Sequence, residues 1–345
     1  MSLTLYVDAE RWRVHLAGVR DRTPGLVPVA KGNGYGFGVA RLAGEAARLG
    51  VDTLAVGLPA EVAAARAGGF TGDLLVLAPP RPAAAEGLDD ARLLRTAASP
   101  ADLHALAGGP HRVVLEVHSS VHRHGLGPDQ LAAAAALVPD GRLAGFALHL
   151  PLQPPPGGRV GEARAWLDRL RAAGLDPATV WVSHLDAAEL AAVRRAEPQV
   201  SWRPRVGTGL WLGDPGALRA RATVLDAHRL PRGTPVGYRQ RPMPYAGTLL
   251  VLAGGTAHGI GLEAPRVVRG PVRRAKVAAA GLLGAAGWAR SPYTVAGRKR
   301  WFAEPPHMQA SLVLLPGSVP APEVGSEVPV EVRHTTVTFD RLAGL

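Results

Sequence analysis

The sequence contains no cysteine, which removes disulfides, thiolate nucleophiles and cysteine-based metal sites together. Any metal centre would have to be built from histidines and carboxylates. Long hydrophobic runs are missing too: the longest weakly polar stretch, VAAAGLLGAAGWA, covers residues 277–289, well short of the roughly 20 residues that a membrane-spanning helix needs. The opening segment, MSLTLYVDAE, carries early acids and no basic region ahead of an apolar one. It does not read as a secretory signal, and a cytoplasmic location is expected. Lysine is scarce as well, with only Lys31, Lys276 and Lys299 among 39 basic residues.

Arginine, alanine, glycine and proline fill the space. A net charge of +11 raises the question of a polyanionic partner such as nucleic acid or an anionic membrane surface. The arginines are spread along the chain, with clusters only at residues 266–276 and 297–301. No zinc-finger spacing, aromatic RNA-binding motif or basic-zipper pattern accompanies them. The charge therefore reads as compositional preference, and nucleic acid is not the expected partner.

From Gly25 to about Gly213, apolar β-type runs alternate with Ala/Arg/Leu stretches of helical period, the mark of βα units around a parallel sheet. The strand candidates are residues 26–30, 53–57, 74–78, 93–98, 112–117, 143–150, 179–183 and 199–206. Eight of them predict a (β/α)8 barrel, a fold that puts its chemistry just past the C-terminal ends of the strands. Beyond about Arg219 the alternation stops and short β-type runs among prolines and glycines predict a second, mostly β domain. The expected boundaries are 1–219 for the barrel and 220–345 for the β domain, with residues 1–8 pairing with the latter.

Lys31 follows the first strand candidate within PVAKGNGYGFG, residues 28–38. A side chain there enters the mouth of a barrel, and the glycines after it allow close backbone approach by a ligand. An amine in a partly desolvated pocket has a lowered pKa and forms a Schiff base with a carbonyl, which arginine cannot do. Glycines at 32, 34, 36 and 38 alternate too strictly for the dinucleotide or P-loop patterns. KGNGYGFG instead resembles the pyridoxal-phosphate segment of the alanine racemase family, Lys-x-Asx-x-Tyr-Gly-x-Gly, matching at Lys31, Asn33, Tyr35, Gly36 and Gly38. The family's layout, a barrel followed by a β domain, covers the whole chain.

The resemblance implies a set of roles. Lys31 carries pyridoxal 5'-phosphate as a Schiff base and Tyr35 contacts its phosphate. In RVGTGLWLG, residues 205–213, Arg205 faces the pyridine nitrogen while the backbone N–H groups of Gly207 and Thr208 hold the phosphate. EVHSSVHRHGLG, residues 116–127, gives Arg123 the phenolic oxygen and a place near the substrate. Glu116 stands where the family commonly has a carbamylated lysine, and either anion can hold a guanidinium. His149 matches the histidine beside the cofactor, and Met308 a methionine near the substrate carboxylate. Ser183 substitutes for a serine on the phosphate in a segment that matches poorly, because Asp186 with Glu189 reads there as a capping box opening a helix.

The departure lies in the C-terminal domain. Family members pair the lysine with a tyrosine from the partner subunit, within Gly-Tyr-x-Asp-Gly. Here LAGGTAHGIG, residues 252–261, puts Thr256 at the tyrosine and His258 at the aspartate. Threonine is a poor base, whereas histidine is a residue type suited to proton transfer near neutrality, so His258 and His307 are the candidates to substitute. A metal site of His258, Glu304 and His307 is disfavoured by the rigid turn at Pro305 and Pro306. The leading expectation is a racemase exchanging the Cα proton of a small amino acid, with alanine and cell-wall D-alanine supply as what the family implies, in a head-to-tail homodimer. Two alternatives stay open: a pyridoxal-phosphate lyase or decarboxylase, and a non-catalytic cofactor-binding or polyanion-binding protein.

Overall fold

Strands in the first two thirds of the chain are nearly continuous apolar runs because both of their faces are covered. In chain order they are β1 (Leu3–Val7), β2 (Val27–Pro28), β3 (Thr53–Val56), β4 (Asp73–Val76), β5 (Leu93–Ala97), β6 (Arg112–Val117), β7 (Leu143–His149), β8 (Thr179–Ser183) and β9 (Ser201–Val206). The structure is a computed structural model and describes residues 2–80, 90–138, 141–262, 268 and 270–345. Strands β2 to β9 form one parallel sheet ordered β2-β9-β8-β7-β6-β5-β4-β3. A bridge between Val29 and Ala55 joins its two ends, giving the expected eight-stranded barrel.

Side-chain alternation builds the two layers around that sheet. Val27, Val29, Ala55, Leu75, Leu94, Val114, Ala147 and Trp181 fill the interior. Residues of opposite parity, such as Leu115, Phe146, Leu148 and Val182, pack against Trp166, Leu170, Leu190 and Val193 on the surrounding helices. The ladder of β2 is shorter than the apolar run that encodes it, since Pro28 has no N–H to donate.

The chain divides into two compact units, Arg13–Gly213 and Met1–Trp12 with Asp214–Leu345. The second contains β10 (Leu218–Leu230), the small hairpin β11 (Pro235–Val236) and β12 (Arg241–Pro242), β13 (Gly247–Ala253), β14 (Arg290–Val295), β15 (Arg298–Phe302), β16 (Ala310–Pro316), β17 (Glu327–Pro329) and β18 (Arg341–Ala343). Its main sheet runs β14-β15-β16-β13-β10-β1-β18, with β17 also on β10. Strand β1 thus pairs antiparallel with β10 and parallel with β18. Leu3, Val224, Leu250, Tyr293 and Val313 lie in its core.

One element of this unit is absent from the sequence expectation. Pro271–Ala285 is a helix whose Val272 and Leu282 are largely exposed. Val272, Ala275, Ala279, Leu282 and Leu283 share one face of it, a helical period obscured in the sequence by the prolines and glycines of this region. Of the basic stretch 266–276, residues 266, 267 and 269 lie outside the described residues. Among the described residues, no helix is long and apolar enough to cross a membrane.

Candidate active site

The loop after β2 is wound by its own sequence. Asn33 Oδ1 accepts the N–H of Tyr35 at 3.1 Å, and the alternating glycines take left-handed backbone angles on either side of it. Tyr35 itself has φ of 55°, a conformation that costs a non-glycine residue about 1–3 kcal/mol and persists where the surroundings enforce it. His122 and His184, beyond the ends of β6 and β8, share this left-handed geometry. Three strained residues in loops at the C-terminal ends of barrel strands mark that end as the functional one.

Tyr35 is buried, and its hydroxyl bonds to Thr208. A Cβ on Gly207 would stand 2.0 Å from the Tyr35 oxygen, so residue 207 must be glycine for the loops after β2 and β9 to meet. Tyr35, Gly207 and Thr208, expected at the cofactor phosphate, are thus brought together.

Lys31 is accessible at the mouth, yet enough protein surrounds it that burial lowers its pKa, with Arg123 and Arg205 adding to the effect and Glu61 opposing it. Arg205 is buried, and its Nε and Nη2 have no hydrogen-bond partner among the described residues. Burial brings its pKa down to about 10, with Glu116 resisting and Arg123 assisting; it remains cationic at neutral pH. Glu116, buried on β6, lies 3.8 Å from Arg123, so one carboxylate offsets two guanidiniums, as its place in the sequence suggests.

His149 at the end of β7 has its pKa pushed down to about 3, first by burial and then by Arg205, Arg123, His184 and Lys31. It is a neutral imidazole at physiological pH. Ser183 Oγ lies 2.8 Å from its Nδ1, so this hydroxyl orients the histidine. Asp186 caps the helix Ala187–Ala196 and exchanges hydrogen bonds with Glu189 at 2.9 Å in both directions, as the spacing predicts. His184, unmarked in the sequence, places its ring 5.2 Å from that of His149, edge to face.

The second unit holds the remaining expected residues. His258 is buried; its Nδ1 accepts the Gly255 N–H at 3.2 Å and its Nε2 lies 3.0 Å from Asp340. His307 lies elsewhere, in a cleft of roughly 810 Å³ lined by Tyr238, Thr256, Glu304 and Met308 among others. Its Nε2 is 2.7 Å from the buried Glu304 carboxylate, which also accepts the Tyr238 N–H at 2.9 Å. The Tyr238 ring lies 4.6 Å from that of His307, and Met308 is exposed. The structure groups His307, Thr256 and Met308 and sets His258 in a different hydrogen-bond network. Tyr238 does not stand out in the sequence as a site residue, and Glu304 does so only within the disfavoured metal grouping.

Known proteins share this chain's family and fold. Residues 7–215 match the family model described as alanine racemase, N-terminal domain. An alanine racemase of Desulfovibrio desulfuricans is 32% identical over 141 residues, a stretch that spans 38% of each chain. In fold, the chain is similar to the alanine racemase of E. faecalis, with a TM-score of 0.65 and 20% identity over 95% of this chain and 88% of that one. It is also similar to the enzyme of Bartonella henselae, which carries covalently bound pyridoxal phosphate, with a TM-score of 0.69 and 15% identity over 97% and 91% of the two chains. With a family match spanning most of the barrel and a mouth assembled from the residues its motifs predict, the chain belongs to the alanine racemase family.

Proposed function

We propose that the protein is a pyridoxal-phosphate-dependent racemase of small amino acids, of the alanine racemase type, acting as a head-to-tail homodimer. The observation that carries this reading is Arg205. A buried guanidinium with two unpartnered nitrogens is costly unless a ligand supplies acceptors, and a pyridine nitrogen is such an acceptor. The contact that excludes any side chain at Gly207 beneath the Tyr35 hydroxyl fits a phosphate-holding turn. The residues present therefore fit the cofactor.

When bound, pyridoxal phosphate supplies a conjugated ring that takes up the negative charge left at Cα when its proton departs. Lys31 is the amine that would hold its aldehyde, and the burial that lowers its pKa favours the uncharged form in which an amine accepts a proton. Arg205 holds the ring nitrogen with a group that stays charged, and Arg123, backed by Glu116, holds the phenolic oxygen. His149, kept neutral, lies beside the ring without adding a further charge. Tyr35, Thr208 and the N–H groups around Gly207 hold the phosphate. Ser183 steadies His149.

Racemisation needs a second proton carrier on the opposite face. His307 suits that task better than His258. Both ring nitrogens of His258 are engaged, whereas His307 is anchored through Nε2 alone, with no partner for Nδ1 among the described residues. A buried carboxylate that fixes one nitrogen and leaves the other to handle protons is the general design of a histidine base. In this reading His307 comes from the partner subunit's β unit, with Met308 beside the substrate.

Incubating the purified protein with pyridoxal phosphate and L-alanine in heavy water tests the reading. Cα deuterium together with D-alanine supports a racemase. Exchange without D-alanine means that only one proton carrier works and favours a non-racemising enzyme, and the absence of both contradicts chemistry at Cα of this substrate.

A further inference from the structure

Strand β2 contributes only Val27 and Pro28 to the barrel ladder, and its link to β3 is the bridge from Val29 to Ala55 together with the Ala30 N–H donating to the Ala55 carbonyl at 2.8 Å. Lys31 hangs one residue beyond this thin seam. Something else must fix it, because a lysine stem carries up to about 2 kcal/mol of rotamer entropy and a short, Pro-containing strand end gives it little support.

The fixing group is a carboxylate from the neighbouring loop. Glu61 ends the short turn that precedes the helix Val62–Ala67. Its Oε1 accepts the N–H of Gly32, the residue directly after Lys31, at 2.7 Å. Its Oε2 accepts the N–H of Gly57 at 2.6 Å and that of Leu58 at 3.2 Å. One side chain thus ties the ends of β2 and β3 together across the barrel seam with three charge-assisted hydrogen bonds, the strong kind. Gly57 makes the approach feasible, since a Cβ there would lie 3.0 Å from Lys31 Cβ and 3.1 Å from Glu61 Oε2.

We propose that Glu61 is a positioning residue for Lys31: it clamps the backbone on either side of the seam and sets a negative charge beside an amine otherwise surrounded by cations. The charged and titratable groups that act on the amine are Arg123, Arg205 and Glu61, with His149 and His184 also coupled to it. Glu61 is the anion of that set. It opposes the burial and the two guanidiniums that push the amine toward losing its proton. This rests on the reading of Lys31 as the reactive amine.

Because the chain has only three lysines, the full-length protein labelled with 13C at the lysine ε-carbon gives three signals, and loss of one in Lys31→Arg identifies that of Lys31. Glu61→Gln keeps the shape and removes the charge. Its Lys31 signal should titrate at lower pH than in the parent, while Lys276 and Lys299 stay in place as internal controls. An unchanged or raised midpoint overturns the proposal. Glu61→Asp keeps the charge but is too short to reach both loops; covalent capture of pyridoxal phosphate, read as borohydride-fixed label, should weaken on the order of tenfold, about one lost hydrogen bond to a charged group. Undiminished capture in this variant overturns the clamp. If the parent protein itself takes no label at Lys31, the racemase reading fails instead, and the titration still decides the role of the charge.

Discussion

In the barrel mouth, a buried arginine keeps donors without partners among the described residues, and strained loops hold Tyr35, His122 and His184 in left-handed conformations. In the β unit, His258 is bonded at both nitrogens, and in a separate cleft Glu304 is engaged by His307 and the Tyr238 backbone, while Tyr238 and Met308 lie open to solvent. The first region carries polar cost inside the protein that a ligand would relieve. The second has settled its buried polar groups internally and leaves its ligand-like chemistry on the surface. On the proposed reading the two regions have separable tasks: the mouth holds the cofactor, and the cleft offers a histidine held by a carboxylate as the second proton carrier.

The sharpest way to break this comparison is to empty one region at a time. Lys31→Ala should abolish both cofactor capture and racemisation, a loss of at least about a thousandfold in rate, since proton carrier and covalent anchor vanish together; absorbance spectra and D-alanine formation read both. His307→Ala should leave capture intact and lower racemisation by about a hundred- to ten-thousandfold, the range for a lost general acid–base. His258→Ala should behave oppositely: the rate per folded molecule is kept, while urea unfolding shows a loss of about 1–3 kcal/mol as Asp340 and the Gly255 N–H lose their partner.

Much of the mouth was legible because strand ends and special backbone angles constrain residue type. Lys31, Tyr35, Arg205 and Gly207 come from short contiguous motifs, and the Asp186–Glu189 cap follows from spacing alone. Glu61, His184 and Tyr238 were not legible, and Glu304 was read only as part of a disfavoured metal grouping. Glu61 acts on Lys31 from the next strand's loop and His184 owes its place to a strained turn. The turn that brings Tyr238 over His307 depends on Glu304, 66 residues away, and one sequence without its fold contains no sign of such a pairing. The helix Pro271–Ala285 escaped because its apolar positions are mostly alanine and it sits among short β-type runs.

Two smaller effects refine the picture of the mouth. Gly207→Ala forces a methyl against the Tyr35 hydroxyl, and should cost about 1–3 kcal/mol in stability while weakening cofactor capture, measured by urea unfolding and by titration with pyridoxal phosphate. Acid sensitivity should be smaller still. An unfolded histidine protonates near pH 6.5, whereas folded His149 waits until about pH 3. The stability contributed by its neutral ring is therefore complete above pH 6.5 and is lost as pH falls toward 3. The urea midpoint of the cofactor-free protein should drop between pH 7.5 and 5, and the drop should shrink in His149→Asn without vanishing, because His184 is shifted in the same direction.

The most direct measurement is peptide mapping after pyridoxal phosphate is added and fixed with borohydride. A single pyridoxyl group on the peptide bearing Lys31, absent in Lys31→Ala, is the predicted result. Label on Lys276 or Lys299 alone, or no label at all, would contradict a mouth built around an amine at position 31.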